Sequence, residues 1–274
     1  MREKCNELFP INKIHPNRCK FNPDFFINIP NRRPKGLDRN YKFNTDWLRA
    51  GDADITNWYL IELTFAMRYF VERNVPIDEN VCLDLITEYP CTLPSLIDYL
   101  IHFEAQLSPT AKNRLRSLDY RNEDLYFQGS LAYLRMKLFD TDVRENSMLL
   151  KKAFQASRSR RYWETNYEML LLRITDLVKE TRSTFLLSAL VEMVDKVNAH
   201  WTEALSYSLA DIALDDLEFL LDNTERDEKL LGLVGFGLHD SGQLDRFKRI
   251  YKEKIENPDY RLHAELKILL EGFE

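Results

Sequence analysis

Residues that interrupt helices are scarce in this sequence. It contains 8 glycines in 274 residues, and Pro258 is the only proline after Pro109. Glycine and proline are the residues least tolerated inside helices, and a fold of many short strands needs them at its turns. No stretch alternates convincingly between apolar and polar residues, as a half-buried strand does. We therefore expect an all-α fold of antiparallel helical hairpins, stacked as a repeat-like α-solenoid or bundle.

Long apolar runs are absent too. No uninterrupted run approaches the ~18 residues of a transmembrane helix, and the start MREKCNELFP lacks the apolar centre of a secretory signal. The four cysteines, Cys5, Cys19, Cys82 and Cys91, do not form the closely spaced pairs of a convincing zinc site. These features favour a cytoplasmic protein with reduced cysteines, no cofactor and no membrane association.

The common catalytic and nucleotide-binding motifs are also missing. No GxxxxGK[ST] loop, GxGxxG loop or GxSxG elbow occurs. The pair His239-Asp240 resembles the central pair of the metal-dependent HD phosphohydrolases, and His200 lies at a plausible distance upstream for a further ligand. The same pair precedes Gly242, and a polar pair suits the end of a helix. A phosphohydrolase built around His239 and Asp240 is therefore an alternative, and we assign no catalytic or metal-binding residue.

Charge is distributed unevenly along the chain. The formal net charge is −6, yet residues 1–45 hold ten Lys/Arg against four Asp/Glu. The same segment contains five of the ten prolines, which prevents long helices. We expect 1–45 to be an irregular basic arm packed on the body, with Phe21, Phe25 and Phe26 buried. The body, 46–274, is expected to be an all-helical domain, with two subdomains meeting near 120–145 as an alternative.

An acidic strip recurs at helical spacing in the body. Its members are Asp211, Asp215, Glu218 and Asp222. On a straight helix these positions fall within about 60° of one another, because each residue advances ~100°. The strip is either a solvated helix face or a docking strip for a basic partner or for the basic arm.

The stretch RSRRYW, 158–163, has the opposite charge. It brings Arg158, Arg160 and Arg161 beside two aromatic residues. Arginine with aromatic residues suits stacking on nucleic acid, which leaves a nucleic-acid-associated factor as a further alternative. Since the body is acidic, the stretch favours a contact with a protein partner or within the chain.

The stretch NEDLYFQGS, 122–130, resembles the recognition site of the tobacco-etch-virus protease, whose usual form is ENLYFQG. It also begins a regular apolar stripe, which continues through Phe127, Leu131, Leu134 and Leu138. The sequence leaves open whether the stretch is native or engineered. Either origin predicts a helix from about 123 to 139, capped by Asn122, and we place no functional residue in 122–130.

The segment 230–258 resembles a tetratricopeptide repeat. The resemblance rests on Leu231, Val234, Gly235, Leu238, Gly242 and Tyr251. It implies a helical hairpin in which Gly235 permits close approach and Gly242 forms the turn. A second segment, 125–157, resembles a Sel1-type repeat with Gly129 as its small residue.

These resemblances imply a stacked helical scaffold of the kind that usually binds other proteins. No groove residue of the repeat family is recognisable here, so none is carried over. We expect a protein–protein interaction scaffold or adaptor whose partner is another protein, with the acidic strip and the three arginines as candidate contact residues.

Overall fold

The computed structural model describes residues 63–271, apart from 65, 69, 122, 140–142, 158–163 and 196–198. Side chains are also not described at 157, 164–167, 199–201 and 271. Within the described ranges the chain is all helical, with no strand, so the all-α expectation is confirmed. The basic arm 1–45 and the three arginines at 158, 160 and 161 lie outside these ranges. Two compact units are formed, unit 1 from Met1 to Thr141 and unit 2 from Asp142 to Glu274.

The described part of unit 1 consists of short helices joined by tight turns. Residues 63–72 are helical at every described position (α1). Then follow α2 Glu79–Glu88, α3 Leu93–His102, α4 Pro109–Ser117 and α5 Leu125–Leu138, with 3₁₀ turns at Pro90–Thr92 and Glu104–Gln106. Helix α2 packs on α4, and α3 packs on α5.

Side-chain caps fix where these helices begin. Ser108 precedes Pro109 and accepts a hydrogen bond from the Ala111 N–H at 3.1 Å, the arrangement expected of a cap followed by proline. The Ser108 N–H and hydroxyl donate to the Glu79 carboxylate at 2.9 and 2.5 Å. Since Glu79 is the first residue of α2, the beginnings of α2 and α4 are held together.

The protease-like stretch forms the first part of α5. The helix begins at Leu125 with Asp124 as its cap, slightly later than expected, because the Asp124 carboxylate accepts from the Tyr126 N–H at 2.9 Å. Asn122, the expected cap, is outside the described residues. Gly129 and Ser130 are buried, as are the last three leucines of the apolar stripe, whereas Phe127 is half-buried. The stretch is therefore part of the core of unit 1.

Unit 2 contains longer helices. They are α6 Val143–Ser157, α7 Glu164–Thr181, α8 Thr184–Val191, α9 Ala199–Asp222, α10 Glu228–Asp240, α11 Leu244–Ile250, α12 Lys252–Ile255 and α13 His263–Glu271. Helix α7 packs against α6, α8 and α9, while α10 packs against α9 and α13.

Alternate helices of unit 2 run parallel. Helices α6 and α8 are joined by Lys151–Ser188 and Gln155–Glu192, both 37 residues apart in sequence. Helices α7 and α9 are joined by two pairs 32 and 33 residues apart. The paired positions advance together along the chain, from 151 and 188 to 155 and 192, and from 179 and 211 to 182 and 215. The two helices of each pair therefore run in the same direction.

The segment 230–258 forms a helix, a turn and a second helical stretch. Gly242 has φ = +69° and ends α10, with the Gln243 N–H donating to the Leu238 carbonyl at 2.9 Å. This geometry favours glycine, so the expectation of a turn at Gly242 is confirmed. The sequence assigned the close approach to Gly235, which is buried. The structure shows one at Gly237, where an added Cβ would overlap the Ser206 carbonyl of α9 and lie 2.9 Å from the Ala210 Cβ.

Helix α9 is bent at Asp216, whose φ of −159° and ψ of 91° are not helical. In a regular helix the Leu217 N–H would donate to the Ala213 carbonyl. Here the Tyr251 hydroxyl is placed between them, accepting from the Leu217 N–H at 2.9 Å and donating to the Ala213 carbonyl at 2.9 Å. An inserted side chain is a known cause of helix kinks. We call residues 199–215 the first segment of α9 and residues 217–222 the second.

Candidate protein-binding groove

A groove of about 470 Å³ lies between α7 and the first segment of α9. The described residues that line it are Glu168, Leu171, Leu172, Thr175, Glu203, Ala204, Tyr207, Ser208 and Asp211. Positions 203 to 211 of α9 span about 12 Å at 1.5 Å per residue. The groove is thus about two helical turns long.

The groove has an apolar part because α7 contains three leucines in a row. Leu170 and Leu171 are buried, whereas Leu172 is 59% exposed. Consecutive residues on a helix are about 100° apart, so three in a row cannot all face one core. Leu172 therefore leaves an apolar side chain at the groove, which Ala204 of α9 also lines.

The lining of the groove is acidic. Among its described lining residues, Glu168, Glu203 and Asp211 carry carboxylates and none carries a cation. Lys179, outside the lining, forms an ion pair with Asp211 at 2.6 Å. Glu203 is exposed and lies one helical turn from Tyr207, with the Glu203 Oε1 2.8 Å from the Tyr207 hydroxyl.

Two carboxylates compete for one proton at Tyr207. Its hydroxyl lies within hydrogen-bonding distance of Glu203 and also of Asp240, at the end of α10. These two carboxylates raise the pKa of Tyr207, Asp240 more than Glu203. A phenol has one proton to donate, and an ionised carboxylate can only accept. We call Glu203, Tyr207 and Asp240 the carboxylate–tyrosine cluster.

The structure separates the predicted acidic strip into two parts, because α9 is bent at Asp216. Asp211 and Asp215 pair with α7, through Lys179 at 2.6 Å and Arg182 at 2.5 Å. Of the four strip residues, only Asp211 is among the residues described as lining the groove.

The second part of the strip pairs with the chain that precedes α13. Glu218 meets Lys254 at 2.5 Å and Arg261 at 3.1 Å, and Asp222 meets Arg261 at 2.6 Å. All four strip residues thus have cationic neighbours within unit 2. Docking of these acids on a basic partner remains a prediction.

The alternative phosphohydrolase residues lie at the end of α10. The Asp240 carboxylate lies within hydrogen-bonding distance of the Tyr207 hydroxyl. The side chain of His200 is outside the part of the chain that the structure describes. Among the described residues, no group of three or more His, Cys, Asp or Glu side chains could hold a metal ion. Cys82 and Cys91 are free thiols, and burial raises the pKa of each.

The sequence analysis did not identify the groove. The charged residues of the groove belong to two different helices, and only Asp211 is part of the regularly spaced acidic strip. Leu170–Leu172 gave a usable signal, because three successive leucines exceed the apolar face of one helix. The spacing of Glu203 and Tyr207, four residues apart, gave a weaker one.

Comparison with protein-family models, curated proteins and solved structures finds no match to this chain. None of the helices described here has the length and apolar character needed to span a membrane.

Proposed function

We propose that the chain is a helical-repeat scaffold that binds another protein through the groove between α7 and α9. The observation that supports this function is the parallel arrangement of two pairs of alternate helices, at chain separations of 32 to 37 residues. Helical hairpins stacked at such a period are the building units of repeat proteins, in which neighbouring units create extended binding surfaces. The resemblance of 230–258 to a tetratricopeptide repeat points the same way.

The groove has the composition of a protein-binding surface. It offers an exposed leucine beside a buried one, together with carboxylate and hydroxyl side chains. Amphipathic segments of other proteins commonly bind in grooves of this kind, with apolar side chains on the floor and polar contacts at the rim.

Capture from the native host tests this function when the full-length chain is compared with two variants. Leu172→Asp places a charge in the apolar part of the groove. Ile268→Asp places the same charge on α13, at a side chain that is also exposed, by 45%. We expect proteins retained by the unmodified chain to be lost with Leu172→Asp and kept with Ile268→Asp. Equal capture by both variants would exclude the groove as the binding surface.

A further inference from the structure

We infer that the groove between α7 and α9 recognises a basic amphipathic segment of a partner protein, with a lysine or arginine bound at the carboxylate–tyrosine cluster and an apolar side chain on Leu172. This inference rests on the proposed function and adds the chemistry of the partner. Its two supports are the proton balance of the cluster and the composition of the groove.

The shortage of hydrogen-bond donors in the carboxylate–tyrosine cluster favours a cation as its ligand. The Tyr207 hydroxyl can donate to Glu203 or to Asp240 but not to both, although both carboxylates lie within hydrogen-bonding distance of it. The single phenol proton therefore serves only one of the two oxygen–oxygen contacts. An ammonium brings three N–H donors and a guanidinium brings five, so either group supplies the missing donor. Such charge-assisted hydrogen bonds are stronger than those between neutral groups.

The groove composition favours a polypeptide over a free cation. Leu171, Leu172 and Ala204 line the same groove as Glu203 and Tyr207, and an isolated ion would leave this apolar surface in water. The groove is about two helical turns long, so it accommodates a short segment that presents a basic and an apolar side chain together. Glu203 in the lining and Asp240 beside Tyr207 complement such a segment in charge.

Selection from a library of random displayed peptides on the full-length chain identifies the preferred chemistry directly. We expect the selected peptides to carry lysine or arginine close to leucine or another large apolar residue. Their affinity should fall as salt is added, because exposed charges are screened. Selection of acidic peptides, or of none, would overturn the inference.

Matched variants then locate the contact. Glu203→Gln and Asp240→Asn should each weaken binding of a selected peptide about two- to fivefold, the range of exposed ion pairs. Glu225→Gln removes one carboxylate from the loop before α10 and should leave the affinity unchanged. If all three variants bind equally, the cluster does not bind the cation.

Two further outcomes separate this inference from the proposed function. If Leu172→Asp abolishes capture while Glu203→Gln and Asp240→Asn bind the peptide normally, the groove binds protein but does not select a basic segment.

The chain's own arginines are the competing occupant of the groove. Replacing Arg158, Arg160 and Arg161 with glutamine should leave the peptide affinity unchanged. A gain in affinity would assign the groove to that stretch and overturn the inference.

Discussion

The two segments of α9 carry similar charges but differ in what surrounds them. The first segment places Glu203 and Asp211 along an open groove, although Asp211 also pairs with Lys179. The second places Glu218 and Asp222 against Lys254, Tyr260 and Arg261. The bend at Asp216 lies between them, with the Tyr251 hydroxyl in its backbone gap. An acidic pattern in the sequence thus does not show which carboxylates line a groove and which lie only in ion pairs, because the neighbouring helices decide this.

The largest effect is expected where the first segment meets α10. Gly237→Ala would place a Cβ on the Ser206 carbonyl, a backbone atom that cannot rotate away. We expect the free energy of unfolding to fall by about 3 kcal/mol, at the upper end of the usual cost of overpacking. Chemical denaturation monitored by circular dichroism measures the change.

Gly232 provides the control for this substitution. It lies in the same helix, is exposed, and would have no atom within 4 Å of an added Cβ. Gly232→Ala should raise the free energy of unfolding by about 0.5–1 kcal/mol, since glycine is a poor residue inside a helix. If the two variants have the same stability, α9 and α10 do not meet at Gly237.

A smaller loss is expected at the bend itself. Tyr251→Phe removes the hydroxyl that satisfies both the Leu217 N–H and the Ala213 carbonyl. Buried groups left without partners cost about 1–3 kcal/mol, so we expect the free energy of unfolding to fall by about 2 kcal/mol. Phe247→Leu, at a buried neighbouring ring, serves as a comparison that changes packing without removing a hydrogen bond. An unchanged stability in Tyr251→Phe would mean that α9 straightens and restores its own hydrogen bond.

The sequence predicted the features of the fold that depend on local chemistry. The cap at Ser108 and the turn at Gly242 follow from the preferences of serine, proline and glycine for particular backbone positions. The helix at 125–138 follows from its apolar stripe, and only its beginning was misplaced by about two residues. Such signals are contained within a few consecutive residues.

The bend and the groove could not be predicted in the same way. The bend depends on Tyr251, which lies 34 residues after Leu217, and the regular spacing of the acidic strip assumed a straight helix. The cluster requires Asp240 of α10 to reach Tyr207 of α9, which depends on the close packing at Gly237. These features arise from contacts between helices, which a single sequence does not specify.

The smallest effect is expected in the second segment and depends on pH. Hydrogen bonds from Lys254, Tyr260 and Arg261 lower the pKa of Glu218 to about 2, and Arg261 lowers the pKa of Asp222. A carboxylate whose pKa is lower in the folded state stabilises the fold above its unfolded pKa, and that contribution is lost as the pH falls towards the folded pKa. For Glu218 the loss should occur between about pH 4.5 and about pH 2.

Arg261→Gln removes the part of this contribution that comes from Arg261, while Lys254 and Tyr260 remain beside Glu218. It should reduce the free energy of unfolding at neutral pH and make stability less dependent on pH between about 4.5 and 2, because the carboxylates lose their main shared partner. We expect the share of Glu218 to be less than ~1 kcal/mol, since its side chain is 36% exposed and solvent screens the pair. Denaturation curves from about pH 6 to about pH 2, with Arg246→Gln on the exposed side of α11 as the charge-matched control, measure the difference. A pH dependence that is the same in both variants would show that the ion pairs of the second segment do not stabilise the fold, and the contrast with the open first segment would then be one of geometry alone.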